Sequence, residues 1–202
     1  MKDLDSILHY KKEERKRIKS ILKELSDNLE LCKAQSDSLC QKIISSELYK
    51  KSSLILAYMP LKTEISPLGL IKKALEDKKS IALPKVLSDG IMEFYFLDSS
   101  KSLEEQLCSG AFGILEPETS LELFVPEKDE SHFPFVIVPA LLFAKDGCRL
   151  GKGGGFYDRY LQRLINCGWK KNQFCAFAYD VQFVEKVPVE KSDVKVDVSF
   201  LL

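Results

Sequence analysis

Apolar residues recur at helical spacing in the first fifth of the chain and then in short runs separated by turns. From Leu4 to Leu25 the contacts fall at Leu4, Leu8, Ile18, Ile21, Leu22 and Leu25, with Lys and Arg crowded between, which predicts one amphipathic helix. A second helix is predicted from about Asp27 through Ile44, with Leu29, Cys32, Leu39, Ile43 and Ile44 as its inner face. Leu54 to Tyr58 reads as a short buried strand, Pro67 to Asp77 as a helix with proline in its first turn, and Ser80 to Leu83 as another strand. Met92 to Leu97 is hairpin-like after Asp89-Gly90, and Leu121 to Phe133, with Pro126 and mixed charges, reads as a surface loop. Phe135 to Phe143 is a continuous apolar run, the pattern of a strand covered on both faces; Asp146-Gly147 then turns the chain. From Tyr157 helical spacing returns at Tyr157, Tyr160, Leu161 and Leu164. The alternation predicts an α/β fold, a single-domain three-layer sandwich over residues 1–202 around a mostly parallel sheet, preceded by an N-terminal helical pair.

Between the last run and the last helix lies Arg149-Leu150-Gly151-Lys152-Gly153-Gly154-Gly155-Phe156-Tyr157-Asp158-Arg159, with four glycines, three cations and one carboxylate. Glycine backbone approaches a ligand closely, and free amides at a helix start point at whatever sits there, so phosphate is the natural guest. It is not a P-loop: only three residues separate Gly147 from Gly151, and Gly153 follows the lysine where Ser or Thr is required. A dinucleotide fingerprint starting at Gly151 and Gly153 fails as well, because its sixth position is Phe156.

Asp158 falls in the first helical turn beside the expected phosphates. Two anions in one place repel unless a divalent cation lies between them, and Mg²⁺ typically uses one or two carboxylates plus phosphate oxygens and water. The alternative is an acid that only complements the helix dipole. Arg149 and Lys152 flank the loop, one suited to a two-pronged grip on phosphate, the other to a point charge.

The segment from Val138 to Leu161 closely resembles the signature of the 5-formyltetrahydrofolate cyclo-ligase family, in which a strand ending Val-Pro-Ala/Gly precedes Arg-Leu-Gly-x-Gly-x-Gly-Tyr/Phe-Tyr-Asp-x-x-Leu. Other landmarks follow the family's order. They are Lys11 and Arg15; Tyr58-Met59-Pro60 leading to Glu64-Ile65; Leu83-Pro84-Lys85; Met92-Glu93-Phe94; Phe112 through Pro117; and a tail with Gln182, Val187-Pro188 and Asp193 through Asp197. The chain departs from the common pattern at Glu14, where Leu is usual, at Ala144, where Asp is usual, and at Ser192, where His or Asn is usual.

The resemblance implies ATP-driven cyclisation of 5-formyltetrahydrofolate to 5,10-methenyltetrahydrofolate, releasing ADP and phosphate, with Mg²⁺ as the metal. It assigns ATP to Lys11, Arg15 and the loop Arg149, Leu150, Gly151, Lys152, Gly153, Gly154, Gly155, Phe156 and Tyr157. It assigns the folate to Met59, Glu64 and Gly151 to Gly155, and the metal to Asp158 and Asp193. Read alone, Lys11 and Arg15 could belong to a solvated helix face, Glu64 could be a helix N-terminal acid before Ser66-Pro67, and Phe156 and Tyr157 could be core. No protein nucleophile or general base is nominated.

Composition narrows the setting. The 202 residues are 45% hydrophobic, and thirty Lys+Arg balance thirty Asp+Glu, so no global field favours nucleic acid or an anionic membrane. Six scattered cysteines, no Cys-x-x-Cys pair and two histidines point away from zinc or a disulfide framework and toward reduced thiols. The start lacks the apolar core of a signal peptide, so a cytoplasmic monomer acting on small molecules is expected. Two other classes stay open: a catalytically silent nucleotide- or folate-binding paralogue, and a sugar-phosphate isomerase, which needs an acid/base constellation and no ATP.

Overall fold

The computed structural model describes residues 4–87, 91–110, 113–130, 133–190 and 193–201; the turn expected at Asp89-Gly90, the landmark Phe112, Ser192 and the side chain of Leu4 lie outside them. The helices are α1 (Leu4–Leu25), α2 (Leu29–Ile44), α3 (Glu47–Lys51), α4 (Leu68–Glu76) and α5 (Phe156–Asn166). The strands are β1 (Leu54–Leu56), β2 (Ser80–Val86), β3 (Met92–Phe96), β4 (Leu107–Ser109), β5 (Leu115–Pro117), β6 (Phe135–Val138), β7 (Leu142–Ala144), β8 (Arg149–Leu150), β9 (Phe174–Ala176) and β10 (Phe183–Val184).

The main sheet runs β3-β2-β1-β6-β9, parallel except for β3, which pairs antiparallel with β2. Period-two alternation sends its side chains to opposite cores. Ile55, Ile81, Leu83, Phe135, Ile137 and Cys175 meet Ile18, Leu22, Leu39, Ile43 and Ile71 of α1, α2 and α4. Leu54, Leu56, Ala82, Val136, Val138 and Phe174 meet Tyr160, Leu161 and Leu164 of α5. Helices on both faces make the three layers. Pro84 is tolerated in β2 because β1 pairs only as far as Ala82, leaving the strand unpartnered on that side at Pro84.

Several expectations need correction. The run Phe135 to Phe143 is not one strand: β6 ends at Val138, and β7 begins at Leu142 in a separate three-stranded sheet, β10-β7-β8. Both pieces are buried, so hydrophobicity is the same on either side of the break at Pro139. Leu121 to Phe133 is no free surface loop; Phe96 N–H donates to the Glu122 carbonyl, Phe124 N–H to the Phe94 carbonyl, and the Phe124 ring is buried edge-on to Phe96 and Trp169. Leu8 and Leu29 are exposed, not inner-face residues. Among the described residues no helix is long and apolar enough to cross a membrane, and all six cysteines are free thiols.

Candidate active site

In the main sheet β1 lies between β2 and β6, so the chain turns to one side after β1 and later to the other. Segments leaving the carboxyl ends of β1 and β6 therefore diverge around a crevice, where ligands of open α/β sheets bind. The first carries Met59 and Glu64. The second makes the β7–β8 hairpin and delivers the glycine loop to the start of α5.

The loop is held open by its backbone. Gly153 has φ 111° and Gly155, the residue before α5, has φ 67°, conformations that a side chain would strain. Gly155 supplies no side-chain cap, so the first amides of α5 keep their donors for another partner. Asp158 sits in that first turn.

Two distant segments close on the loop. Arg15 of α1 donates from Nε to the Gly151 carbonyl at 2.9 Å, which brings the N-terminal helix over the glycines. Lys152 reaches across the crevice to Glu64, Nζ to Oε1 2.5 Å, with Glu64 largely covered and its Oε2 accepting from Leu61 N–H at 2.9 Å. Met59 is half-buried on the same approach, packed against the α1/α2 core.

Arg149 stands differently from expectation. Its side chain is 3% exposed, and its guanidinium donates to Asp158 Oδ1 at 2.7 Å and to the Val194 carbonyl, so it lies behind the loop and offers no open two-pronged grip. Burial pulls its pKa below the ordinary arginine value while Asp158 and Asp193 pull it back, and guanidinium stays charged throughout. Val194 N–H donates to the same Asp158 oxygen at 3.2 Å. Asp158 is thus bonded to the residue following Asp193, and the two expected metal aspartates, 35 positions apart, share one corner. Among the described residues, no group of three or more His, Cys, Asp or Glu is arranged to hold a metal unaided.

Lys11 also departs from a plain nucleotide-facing role. Its ammonium is buried between Glu190 Oε1 and Asp193 Oδ2, 2.7 Å from each. Burial opposes its charge, but the hydrogen bonds to Asp193 and Glu190 outweigh that, and its pKa stands above the usual lysine value. Among the described residues the buried Tyr157 hydroxyl finds no hydrogen-bond partner, and burial, with the nearby Glu64 charge, raises its pKa. Phe156 is half-buried, with Arg159 over its ring at 5.3 Å. Ala144, at a position where the signature usually has Asp, is buried in β7 with its backbone paired to Cys148 and Val184.

A model of the 5-formyltetrahydrofolate cyclo-ligase family matches residues 8–200. The chain belongs to this family. It is similar to the 5-formyltetrahydrofolate cyclo-ligase of Mus musculus, 29% identical over 172 residues, covering 81% of this chain and 80% of that protein. Against the Escherichia coli K12 cyclo-ligase the identity is 31% over 140 residues, 69% and 72% of the two chains. The NMR structure of Aquifex aeolicus 5,10-methenyltetrahydrofolate synthetase matches with TM-score 0.74 and 32% identity, over 93% of this chain and 87% of that one.

Three contributors to this candidate site are not singled out by sequence. Glu190 shares the Lys11 ammonium, Tyr179 donates from its hydroxyl to the Glu64 carbonyl at 3.1 Å, and Val194 serves Asp158 and Arg149 through its backbone. Backbone contacts leave no residue-type signal. Only Glu190 was detectable in principle, since a lysine due to be buried on α1 requires acids from elsewhere.

Proposed function

We propose that the chain catalyses the ATP- and Mg²⁺-dependent cyclisation of 5-formyltetrahydrofolate to 5,10-methenyltetrahydrofolate, with ADP and phosphate released. Family membership over residues 8–200 supports the activity. The observation that carries the site reading is convergence: Arg15 on the Gly151 carbonyl, Glu64 on Lys152, and Asp158 on the amide after Asp193 bring three separate segments to one loop.

In this reading the uncapped amides of α5 and the loop from Arg149 to Tyr157 receive the ATP phosphates, with Lys152, Arg15 and Lys11 neutralising them. Arg149 acts from behind, fixing Asp158. Glu64 accepts from the N–H donors of the pterin once Lys152 turns to phosphate, Met59 lines its approach, and Phe156 and Tyr157 offer flat surfaces. The donor set of Asp158 and Asp193 is all oxygen, and Asp158 Oδ2 carries no hydrogen bond among the described residues, which suits a hard cation completed by phosphate oxygens and water. Bound there, Mg²⁺ supplies charge neutralisation on the transferring phosphoryl group.

The formyl amide is a poor electrophile because its nitrogen lone pair is delocalised. Phosphorylation of its oxygen creates a leaving group, the neighbouring amine nitrogen attacks the activated carbon, and phosphate departs with the oxygen. The protein positions and neutralises, and supplies no covalent group. We further propose that it works as a cytoplasmic monomer on small molecules. The test mixes 5-formyltetrahydrofolate, ATP and Mg²⁺ and omits each in turn: methenyl-folate absorbance rises only with all three. Binding of both ligands without that rise would instead identify a silent paralogue.

A further inference from the structure

Lys11 occupies a position at odds with free access to Asp193. Its ammonium lies 2.7 Å from Asp193 Oδ2 and 2.7 Å from Glu190 Oε1, and its side chain is 4% exposed. Glu190 N–H also donates to Asp193 Oδ2 at 2.8 Å, and Asp193 N–H to the Glu190 carbonyl at 3.1 Å, so the two acids are tied to each other and both hold the ammonium. A buried ammonium needs such partners, and among the described residues it has these two. An ammonium and a divalent cation on the same carboxylate repel each other, strongly where water is scarce.

We propose that Glu190 is a positioning residue that parks Lys11 on Asp193, so that in the nucleotide-free protein the ammonium takes the place of the divalent cation. Arriving phosphates draw Lys11 away, and only then is Asp193 released to the metal. The device makes metal and nucleotide bind together and keeps the free protein from loading a bare cation. It rests on the site reading given above, in which Asp158 and Asp193 hold Mg²⁺ and Lys11 serves ATP. Glu190 touches no reacting atom; it acts through Lys11.

The test uses the full chain and Mn²⁺, whose free form is counted by electron paramagnetic resonance. Without nucleotide, wild-type protein binds Mn²⁺ weakly, and Lys11→Met binds it about tenfold or more tightly because a like charge is gone. Glu190→Gln keeps the Lys11–Asp193 pair, loosens the parked ammonium and is read alone if Lys11→Met does not fold, in which case the absence of a gain in ATP·Mg²⁺ affinity overturns the proposal. Calorimetry should then show ATP·Mg²⁺ binding about three- to tenfold more tightly. That gain should vanish when Lys11→Met is already present. Unchanged Mn²⁺ binding by folded Lys11→Met overturns the exchange. So does an equal gain from Glu190→Gln in both backgrounds, since long-range repulsion of phosphate by Glu190 would then explain it. Asp158→Asn separates the two layers. If Mn²⁺ binding with ATP present ignores that change, the metal-site reading fails and the exchange with it; if binding falls while Lys11→Met gains nothing, the exchange alone fails.

Discussion

The two ends of α5 carry the same kind of interaction, arginine with carboxylate, in opposite styles. Near its C-terminal end Arg163 is saturated: Glu93 takes two bonds from Nη1 at 2.9 Å each, and Glu127 takes bonds from Nε at 2.7 Å and Nη2 at 2.9 Å. One cation is clamped by two acids. At the N-terminal end Arg149 gives Asp158 one bond and spends another on the Val194 carbonyl, while Lys11, Arg15 and Lys152 each hold a partner from a distant segment. The first arrangement ties down the segment around Phe124; the second keeps Arg149 as a buried anchor behind the loop and leaves Lys11, Arg15 and Lys152 with contacts that a phosphate could take over. Closed pairs hold the fold, and exchangeable pairs mark the site.

The sharpest way to break that comparison is Arg149→Met. It leaves the Val194 carbonyl and the sheltered Asp158 carboxylate without their cation, and breaking a buried pair costs about 3–5 kcal/mol. In a chain of this size the melting temperature should fall by roughly 6–20 °C in calorimetry, with ATP affinity falling too as Asp158 loses its anchor. A fall no larger than that of Arg163→Met would erase the distinction.

Next in size are Asp158→Asn and Asp193→Asn. Each should raise the Mg²⁺ requirement of the assay about tenfold, and the double variant should cost less than the sum because both changes disrupt one corner. Additive effects, or a magnesium titration indifferent to Asp193→Asn, would make Asp193 a structural residue of the C-terminal turn that serves only Lys11.

What could be read in the sequence divides along the same line. The helices α1 and α5 and the strand-helix alternation were legible because each is a local period, visible in a window of a dozen residues. The glycine loop was legible as a motif, down to Asp158. Illegible were features whose cause lies far away in the chain: the Lys11–Asp193 pair spans 182 positions, and Arg149 turns inward only because Val194 passes behind it. The split of Phe135 to Phe143 into β6 and β7 was hidden for another reason. Two buried strands and one give the same apolar run, and only Pro139, which cannot donate to a ladder, hints at the break. The strap around Phe124 looked like a loop because its charges face out while a single aromatic ring faces in.

Arg163→Met sharpens the comparison from the other side. Its pairs are partly exposed, so after solvent screening the loss is about 1–2 kcal/mol, a fall of a few degrees in melting temperature. ATP titration should be unchanged, since none of the residues it touches faces the glycine loop. A large nucleotide effect would mean that the strap and the site are coupled through α5.

The smallest effect is the most specific to the closed pair. Arg163 hydrogen bonds hold the Glu127 carboxyl at about 2, well below the usual carboxylate range near 4.5. A depressed acid contributes stability that is fully present above its unfolded value and is lost as pH falls toward its folded one. The contribution of Glu127 should therefore persist at neutral pH and disappear between about pH 4.5 and 2. Other carboxylates titrate in the same window, so the observable is a difference: urea midpoints of wild type and Glu127→Gln should be separated at pH 6 and converge toward pH 2. Because Glu127 lies open to solvent the separation will be small, and added salt should shrink it. Midpoints that stay equally separated across that range would show that Glu127 works by packing and not by charge, and the clamp on Arg163 would then rest on Glu93.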